Sequence, residues 1–349
     1  MGAPQCPRIL IYIDVHSAVG DMVVLSPQIH TIRQHFLSAG QTPRLILYVK
    51  NAIPATTLFR PLVESGEMQI LARRVPGRGG RLQSQATSWR AWLTLQATGY
   101  DIAVYLTRPR NMIDRLRARH SRSSYESFAD FASQTGAAHD ASNIVTLSHV
   151  ASHHFPRPTI GLYVAASTPL RSWPSASWAR LIAATRYRSA NNYDIHLYGF
   201  GNVSRAIARG IAIHGERLGI REGRDYHDLI DQHSLEEDIA HCKGLELAIT
   251  NDSGFLWVGN ACGVKTLSIL SGATFQRYSP YFRRNAGRWV AVESSLDCAP
   301  CSHSGRCPNM TRQDGLTFQN CMLEDRVDRV LDGMRRLLAT PDSQPLTIQ

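Results

Sequence analysis

The sequence predicts an α/β protein built from two Rossmann-like, doubly wound domains, and three observations support this class. Apolar runs of strand length, such as residues 8–14 and 44–49, are continuous, as in strands buried on both faces of a parallel sheet. Helical segments separate these runs. The same alternation starts again at residues 159–164, and a chain of 349 residues is long enough for two complete cores.

In the N-terminal half, the strand at 8–14 leads through a loop at 15–20 to Asp21 and a helix that reaches about Phe36. Ser26 is predicted to cap the regular part of this helix, with Pro27 at its first position. Strands follow at 44–49 and 101–106. The stretch 149–158 contains three histidines and two prolines and is predicted to be a linker. Its histidines could be ligands, although no carboxylate or cysteine pattern accompanies them: His149, His153 and His154.

The C-terminal half repeats the pattern, and the predicted domains are residues 1–155, 156–322 and a terminal helix and tail at 323–349. The strand at 194–199 is followed by a G-x-G sequence whose third glycine is replaced, so it only weakly indicates a dinucleotide site. Ser234 and Glu237 form a capping box at the start of a helix. Residues 323–338 have the apolar spacing of an amphipathic helix.

The net charge and arginine content of the chain indicate which classes of binding partner it favours. The formal charge is +10, and 35 of the 38 basic residues are arginine, which suits bidentate binding of phosphate and carboxylate. Nucleotides, phosphorylated glycans and anionic membrane surfaces are therefore favoured partners, and nucleic acid is not, because no RNA- or DNA-binding motif is visible. No apolar run approaches the about 20 residues of a membrane span, and no signal peptide is visible. We therefore expect a cytoplasmic protein with mostly reduced cysteines.

The segment 245–263 carries the strongest local signal. An apolar run of strand length is followed by the turn Asn-Asp-Ser-Gly at 251–254, then by a helix that Gly263 is placed to end. Such a turn exposes amide N–H groups at the start of a helix, where they and the helix dipole favour a bound phosphate. An ordinary capped strand-to-helix turn fits the residues equally well.

Four cysteines lie within the short segment 298–321. In a reducing compartment this density predicts a tetrahedral metal site that stabilises a segment with few apolar residues, with zinc as the default and iron as the alternative. Reduced thiols, or disulfides in an exported protein, remain the other interpretation. The candidate ligands are Cys298, Cys301, Cys307 and Cys321.

Four sequence features occur in an order that resembles glycosyltransferase family 9, the ADP-heptose:lipopolysaccharide heptosyltransferases. They are Gly20-Asp21, T-P-x-R-x-W-P at 168–174, N-D-S-G at 251–254 and C-A-P-C…C…C-M at 298–322. The resemblance spans almost the whole chain. It implies the GT-B architecture, two Rossmann-like domains facing a central cleft, with acceptor bound by the N-terminal domain and nucleotide-sugar by the C-terminal one. It implies inverting transfer of a heptose-type sugar from an ADP-sugar to a glycan such as lipopolysaccharide core, with no cofactor required for the chemistry.

The resemblance also implies site residues. Asp21 matches the general base, although its carboxylate could instead serve as a charge at a helix N-terminus. Arg171 stands near the family's usual lysine. Trp257 replaces a histidine that is common in the family, and it could be either a core side chain or a stacking surface. The residues that match the donor site are Ser167, Thr168, Arg171, Asp252, Ser253 and Gly254.

Three other functions remain compatible with the sequence. The chain could be a nucleotide-binding or regulatory protein of the same fold without transfer activity, or a transferase that uses another sugar or a protein acceptor. The incomplete glycine motif at 199–204 would suit a nicotinamide-dependent oxidoreductase. Under the transferase interpretation, the arginine-rich stretches 73–81 and 108–122 would suit an anionic acceptor and peripheral contact with the inner membrane.

Overall fold

The computed structural model describes residues 6–13, 18–72, 97, 99–106, 124–125, 127–188, 193–272, 275–299 and 307–341. The chain divides into two compact units, Met1–Val145 and Thr146–Gln349. This division lies ten residues before the predicted boundary at 155, because the predicted linker packs against the second unit. The amide of His153 donates to the carbonyl of Ala240 (2.8 Å), and Lys243 Nζ donates to the carbonyl of Leu147 (3.1 Å).

The first unit contains a five-stranded sheet in the order β3-β2-β1-β4-β5, in which every neighbouring pair is parallel. Its central strands are buried on both faces, as the continuous apolar runs predict. The strands are β1 (Arg8–Tyr12), β2 (Arg44–Val49), β3 (Met68–Ala72), β4 (Ile102–Tyr105) and β5 (Ser124–Tyr125). The helices are α1 (Val19–Ser38), α2 (Ala52–Leu58), α3 (Arg60–Glu64) and α4 (Phe128–Thr135).

The second unit contains a six-stranded parallel sheet in the order β11-β10-β9-β6-β7-β8. Its strands are β6 (Thr159–Tyr163), β7 (Asp194–Tyr198), β8 (His227–Asp228), β9 (Leu247–Asn251), β10 (Thr266–Ile269) and β11 (Trp289–Val292). A separate antiparallel hairpin consists of β12 (Met310–Gln313) and β13 (Leu316–Gln319). The helices are α5 (Ser175–Arg188), α6 (Gly201–Arg217), α7 (Leu235–Gly244), α8 (Gly254–Cys262), α9 (Phe275–Tyr278), α10 (Asn320–Leu323) and α11 (Val327–Ala339), with 3-10 turns at Pro169–Arg171 and Ser279–Arg288.

The strand order reverses in both sheets next to the first strand of the unit. In the second unit the chain passes from β6 to β7 and β8 on one side, and β9 then pairs with β6 on the other side. Ligands of open α/β sheets bind outside the carboxyl ends of the strands at such a reversal. The segments that follow β6 and β9 are therefore the place to examine for a binding site.

The predicted start of the first helix is wrong. The helix α1 already begins at Val19 and contains Pro27 in its interior. Proline has no N–H group to donate to the carbonyl of Val23, four residues before it. The hydroxyl of Ser26 donates to that carbonyl instead (2.6 Å) and accepts the amide of Val145 (2.8 Å), so Ser26 satisfies a broken helical bond and does not cap the helix.

The C-terminal helix belongs to the core of the second unit. The predicted helix at 323–338 starts later than expected: α11 begins at Val327, Leu323 instead ends the separate short helix α10, and Arg326 lies between the two. The apolar side of α11 is buried in the same cluster as β10 and β11, which confirms the predicted amphipathic face: Val327, Val330, Leu331, Met334 and Leu337. Within the described ranges, no helix combines the length and the apolar character that crossing a membrane requires.

Candidate functional site

The turn after β9 has the form that the sequence predicts. Only Asp252 and Ser253 separate the end of β9 from Gly254, which begins α8, and Gly263 ends this helix with a left-handed backbone (φ 70°). Ser253 occupies the N-cap position but its side chain makes no capping hydrogen bond. The first amides of α8 are therefore not capped by this hydroxyl, and the positive end of the helix dipole lies at the carboxyl edge of the sheet.

Asp252 orients this turn. Only 6% of the residue is exposed, and its carboxylate accepts the hydroxyls of Ser271 (3.1 Å) and Tyr278 (3.0 Å). Through Ser271 the turn is joined to the segment that follows β10, and through Tyr278 to the segment that precedes the second 3-10 turn. The sequence leaves two roles open for Asp252, orientation of the turn or contact with the donor's sugar, and these bonds support orientation of the turn.

The loop after β6 is closed on itself by a buried serine. Ser172 Oγ accepts the amide of Ala166 (2.9 Å) and donates to the carbonyl of Thr168 (2.9 Å). Ser167 is exposed and lies just before the Pro169–Arg171 turn. Arg171 is the last residue of this turn, and its Nη2 donates to Ser167 Oγ (3.0 Å). The predicted residues Ser167, Thr168 and Arg171 thus form one compact loop.

This loop and the turn after β9 lie close together. Burial and the charge of Asp252 raise the pKa of Tyr278, and the positive charges of Arg277 and then Arg171 oppose that rise. A second link is Asn251, the last residue of β9, whose side chain bonds both to the loop and to the end of β6. The sequence pattern places Asn251 only in the turn. A polar residue ending an apolar strand is the signal that could have identified it, because a buried amide needs partners.

Trp257 is a core side chain, as one of its two interpretations proposes. It is 8% exposed and packs edge-to-face on Tyr278 and Tyr281, with ring centroids 5.1 and 5.3 Å apart. These contacts hold the 275–288 segment against α8. Trp257 therefore helps to shape the wall that carries Tyr278.

In the first unit, Asp21 lies in the first turn of α1, two residues into the helix and not in a preceding loop. The residue is half-buried, and its carboxylate accepts the amide of Ala18 (3.3 Å). This contact satisfies an amide at the helix start, and the charge is favourable there. The structure therefore shows the helix-terminal role directly, while the role as a base stays a prediction.

The predicted metal ligands are only partly described. Cys301 lies outside the described residues, Cys298 is exposed, and Cys307 and Cys321 are buried. At the open end of the β12–β13 hairpin, the amide of Asn320 donates to the carbonyl of Asn309 (3.0 Å). The chain segments beside Cys307 and Cys321 therefore lie at the same end of the hairpin. Over the described ranges, no group of three or more His, Cys, Asp or Glu side chains is arranged to hold a metal ion.

The absence of such a metal-binding group among the described residues applies also to the three histidines of the predicted linker. His153 packs on His241 with ring centroids 4.1 Å apart. Burial and neighbouring histidines lower the pKa of His241 to about 4, so its ring is neutral near pH 7. The described part of the chain thus offers no support for the ligand interpretation of His149, His153 and His154.

The glycine motif at 199–204 does not form an open dinucleotide site. The amide of Gly201, at the start of α6, donates to the carboxylate of Asp231 (2.7 Å). Ser204 fills the position of the missing third glycine, and its hydroxyl donates to the carbonyl of Phe200 (3.1 Å). A pyrophosphate at this helix start would meet the negative charge of Asp231, which argues against the oxidoreductase interpretation.

Comparison with known proteins identifies the family. Residues 92–307 match the family model described as glycosyltransferase family 9 (heptosyltransferase). The chain belongs to glycosyltransferase family 9. A curated relative, lipooligosaccharide heptosyltransferase 2 of Campylobacter jejuni subsp. jejuni, is 24% identical over 345 residues, which are 94% of this chain and 98% of the relative.

Solved structures agree with this family assignment at the level of the fold. The glycosyl transferase family 9 protein from Veillonella parvula is similar with a TM-score of 0.65 at 15% identity, covering 97% of this chain and 98% of that one. The dodecameric iron-containing heptosyltransferase TibC of enterotoxigenic E. coli, solved with ADP-D-beta-D-heptose, is similar with a TM-score of 0.55 at 14% identity, covering 97% and 78%. The predicted GT-B fold, with two Rossmann-like units, is therefore confirmed, and this family 9 protein is a glycosyltransferase.

Proposed function

We propose that this family 9 protein moves a heptose-type sugar from an ADP-sugar to a glycan acceptor such as lipopolysaccharide core, with inversion at the anomeric carbon. The observation that carries the proposal is the joining of two segments at the strand reversal of the second sheet. One segment is the loop with Arg171, and the other is the start of α8, where Ser253 leaves the first amides uncapped. A cationic side chain and uncapped amides are together suited to a diphosphate.

The leaving group of the transfer is a nucleoside diphosphate, on which negative charge develops as the glycosidic bond breaks. We assign stabilisation of this charge to Arg171 and to the amides at Ser253 and Gly254. Thr168 and the hydroxyl of Ser167 would donate to the same phosphates. Asp252, whose carboxylate is held by two protein hydroxyls, would keep the turn in place.

The acceptor hydroxyl must lose a proton as it attacks the anomeric carbon. We assign the removal of this proton to the carboxylate of Asp21 in the first unit. The acceptor would be an anionic glycan. The arginine-rich stretches 73–81 and 108–122, which lie outside the described residues, would suit such an acceptor and peripheral contact with the inner membrane face.

Measurement of nucleoside diphosphate release from a panel of nucleotide-sugars tests the proposal as a whole. We expect release of ADP from an ADP-heptose with a lipopolysaccharide-core acceptor, and little release of UDP or GDP from uridine or guanosine diphosphate sugars. Tight ADP binding without any transfer would instead identify a nucleotide-binding protein of the same fold. Transfer from a different sugar, or to a protein, would keep the transferase and change its substrate.

Replacing Arg171 with alanine is expected to weaken ADP binding by about ten- to hundred-fold, since a hydrogen bond to a charged group is worth about 1.5–3 kcal/mol. Arg171→Lys should retain part of the affinity, because the charge remains while the fork geometry is lost. Isothermal titration with ADP measures both. The matched control is Arg180→Ala, which removes an exposed arginine that pairs with Asp325 (3.0 Å). Equal affinities for wild type and Arg171→Ala would contradict the assigned role.

We also propose that the four cysteines hold a structural zinc or iron. Four thiolates suit a soft or borderline metal. The hairpin register supports such a site, because it places the chain segments beside Cys307 and Cys321 at the same end of the hairpin. Cys298 and Cys301 would complete four thiolates. The metal would stabilise the segment and take no part in the transfer chemistry.

Metal analysis of purified protein is expected to find about one zinc or iron atom per chain. Cys321→Ser should lower this content, whereas Cys6→Ser, which changes an exposed thiol outside the segment, should not. Protein with no bound metal and freely titratable thiols at the four positions would remove the proposal.

A further inference from the structure

We infer that Asn251 is a positioning residue that holds the two segments of the proposed donor site in one arrangement. The inference rests on the proposed function, because it concerns how that site is built. Asn251 is the last residue of β9 and is fully buried. Its side-chain amide makes two hydrogen bonds to backbone atoms that are distant in the sequence.

The first bond joins Asn251 to the loop after β6. Its Oδ1 accepts the amide of Trp173 at 2.7 Å, across 78 residues of sequence. Trp173 lies two residues after Arg171, and Ser172 between them braces the same loop from within. The position of the Trp173 amide therefore determines where the loop presents Arg171.

The second bond joins Asn251 to the strand beside its own. Its Nδ2 donates to the carbonyl of Tyr163 at 2.9 Å, and Tyr163 is the last residue of β6. Asn251 itself directly precedes Asp252, Ser253 and Gly254. One side chain thus connects the end of β6, the Arg171 loop and the start of α8.

The amide side chain of Asn251 satisfies both contacts in this position. The Trp173 amide requires an acceptor and the Tyr163 carbonyl requires a donor, and asparagine provides one of each. Aspartate would retain the acceptor but place a second oxygen against a carbonyl. Alanine would leave both backbone groups without this partner at a buried position, which permits the loop to move relative to α8.

The test compares Asn251→Ala with a matched control, Asn260→Ala. Asn260 is also a buried amide in the same strand-and-helix unit, and its side chain makes two hydrogen bonds, to the carbonyl of Tyr281 (2.9 Å) and to Asn285 Nδ2 (2.8 Å). Neither bond reaches the Arg171 loop. Both variants should lose similar thermal stability, and ADP affinity is measured by isothermal titration for both and for the wild type.

We expect Asn251→Ala to bind ADP about ten-fold more weakly than the wild type, because preorganisation of the site is lost, and Asn260→Ala to stay within about two-fold. If the wild type binds ADP and the two variants bind it equally well, Asn251 has no positioning role and the proposed function stands. A wild type that binds no ADP overturns the proposed function and this inference with it.

Asn251→Asp keeps the test decisive if Asn251→Ala does not fold. It retains the acceptor for the Trp173 amide, so the loop stays attached at one of its two bonds. We expect an ADP affinity below that of the wild type, and faster hydrogen exchange for amides of the 166–173 loop than in Asn260→Ala. Affinity and exchange equal to those of the wild type would overturn the inference.

Discussion

Replacing Asp21 with asparagine is expected to lower the turnover of sugar transfer by about a thousand-fold, within the range that general-base catalysis contributes. The amide oxygen of asparagine can still accept the hydrogen bond from Ala18, so the start of α1 should remain intact. What is lost is the basic carboxylate that removes the acceptor proton. Steady-state rates of ADP release, together with ADP affinity, measure the two effects separately.

The matched control for this prediction is Asp130→Asn. Asp130 also stands in the first turn of a helix of the first unit, α4, so it has the same helix-terminal charge. We expect normal turnover for Asp130→Asn and unchanged ADP affinity for both variants. Wild-type turnover in Asp21→Asn would leave Asp21 only the helix-terminal role that the structure shows.

Replacing Arg326 with methionine is expected to destabilise the second unit by about 3–5 kcal/mol, because each buried acceptor that is left without a donor costs about 1–3 kcal/mol. Only 1% of this residue is exposed. Its guanidinium donates to the carbonyls of Leu270 (2.7 Å), Val292 (3.1 Å) and Cys321 (2.8 Å). Burial lowers the pKa of Arg326 to about 10, so the group is still charged at neutral pH.

Arg326 joins the ends of β10 and β11 to the segment that carries Cys321. Urea unfolding measures the loss, and an unchanged slope of the transition indicates that the folded state is retained. The control is Arg335→Met on α11, where the arginine forms an exposed pair with Asp332 (2.7 Å) and should contribute less than about 1 kcal/mol. Equal stabilities of Arg326→Met and Arg335→Met would show that the carbonyl contacts contribute little.

Local patterns predicted local structure well where one segment contains all the necessary groups. The continuous apolar runs became buried parallel strands, and Gly263 ends α8 where a left-handed residue is needed. The capping box was also confirmed, since the amide of Ser234 donates to Glu237 (2.7 Å) and the amide of Glu237 to Ser234 (3.3 Å). Pro27 failed as a helix start because Ser26 could satisfy the carbonyl that proline leaves without a donor.

The candidate site depended more on contacts that the sequence does not display. The resemblance to a family identifies the motif residues but not the residues that surround them in the fold. Asp252 is held by Ser271 and Tyr278, which are 19 and 26 residues away along the chain. The sequence leaves two interpretations of Trp257 open, because the aromatic side chains around it become its neighbours only after folding.

The sequence by itself determined the alternation of strands and helices, the turn that starts α8 and the family to which the chain belongs. Each of these depends on the order of side chains within a short segment, where period, capping and turn residues act locally. Only the tertiary structure decided that Asn251 joins the Arg171 loop to this turn and that Arg326 joins two strand ends. Those contacts bring together backbone groups far apart in sequence, and a buried polar side chain takes the partners that packing places beside it.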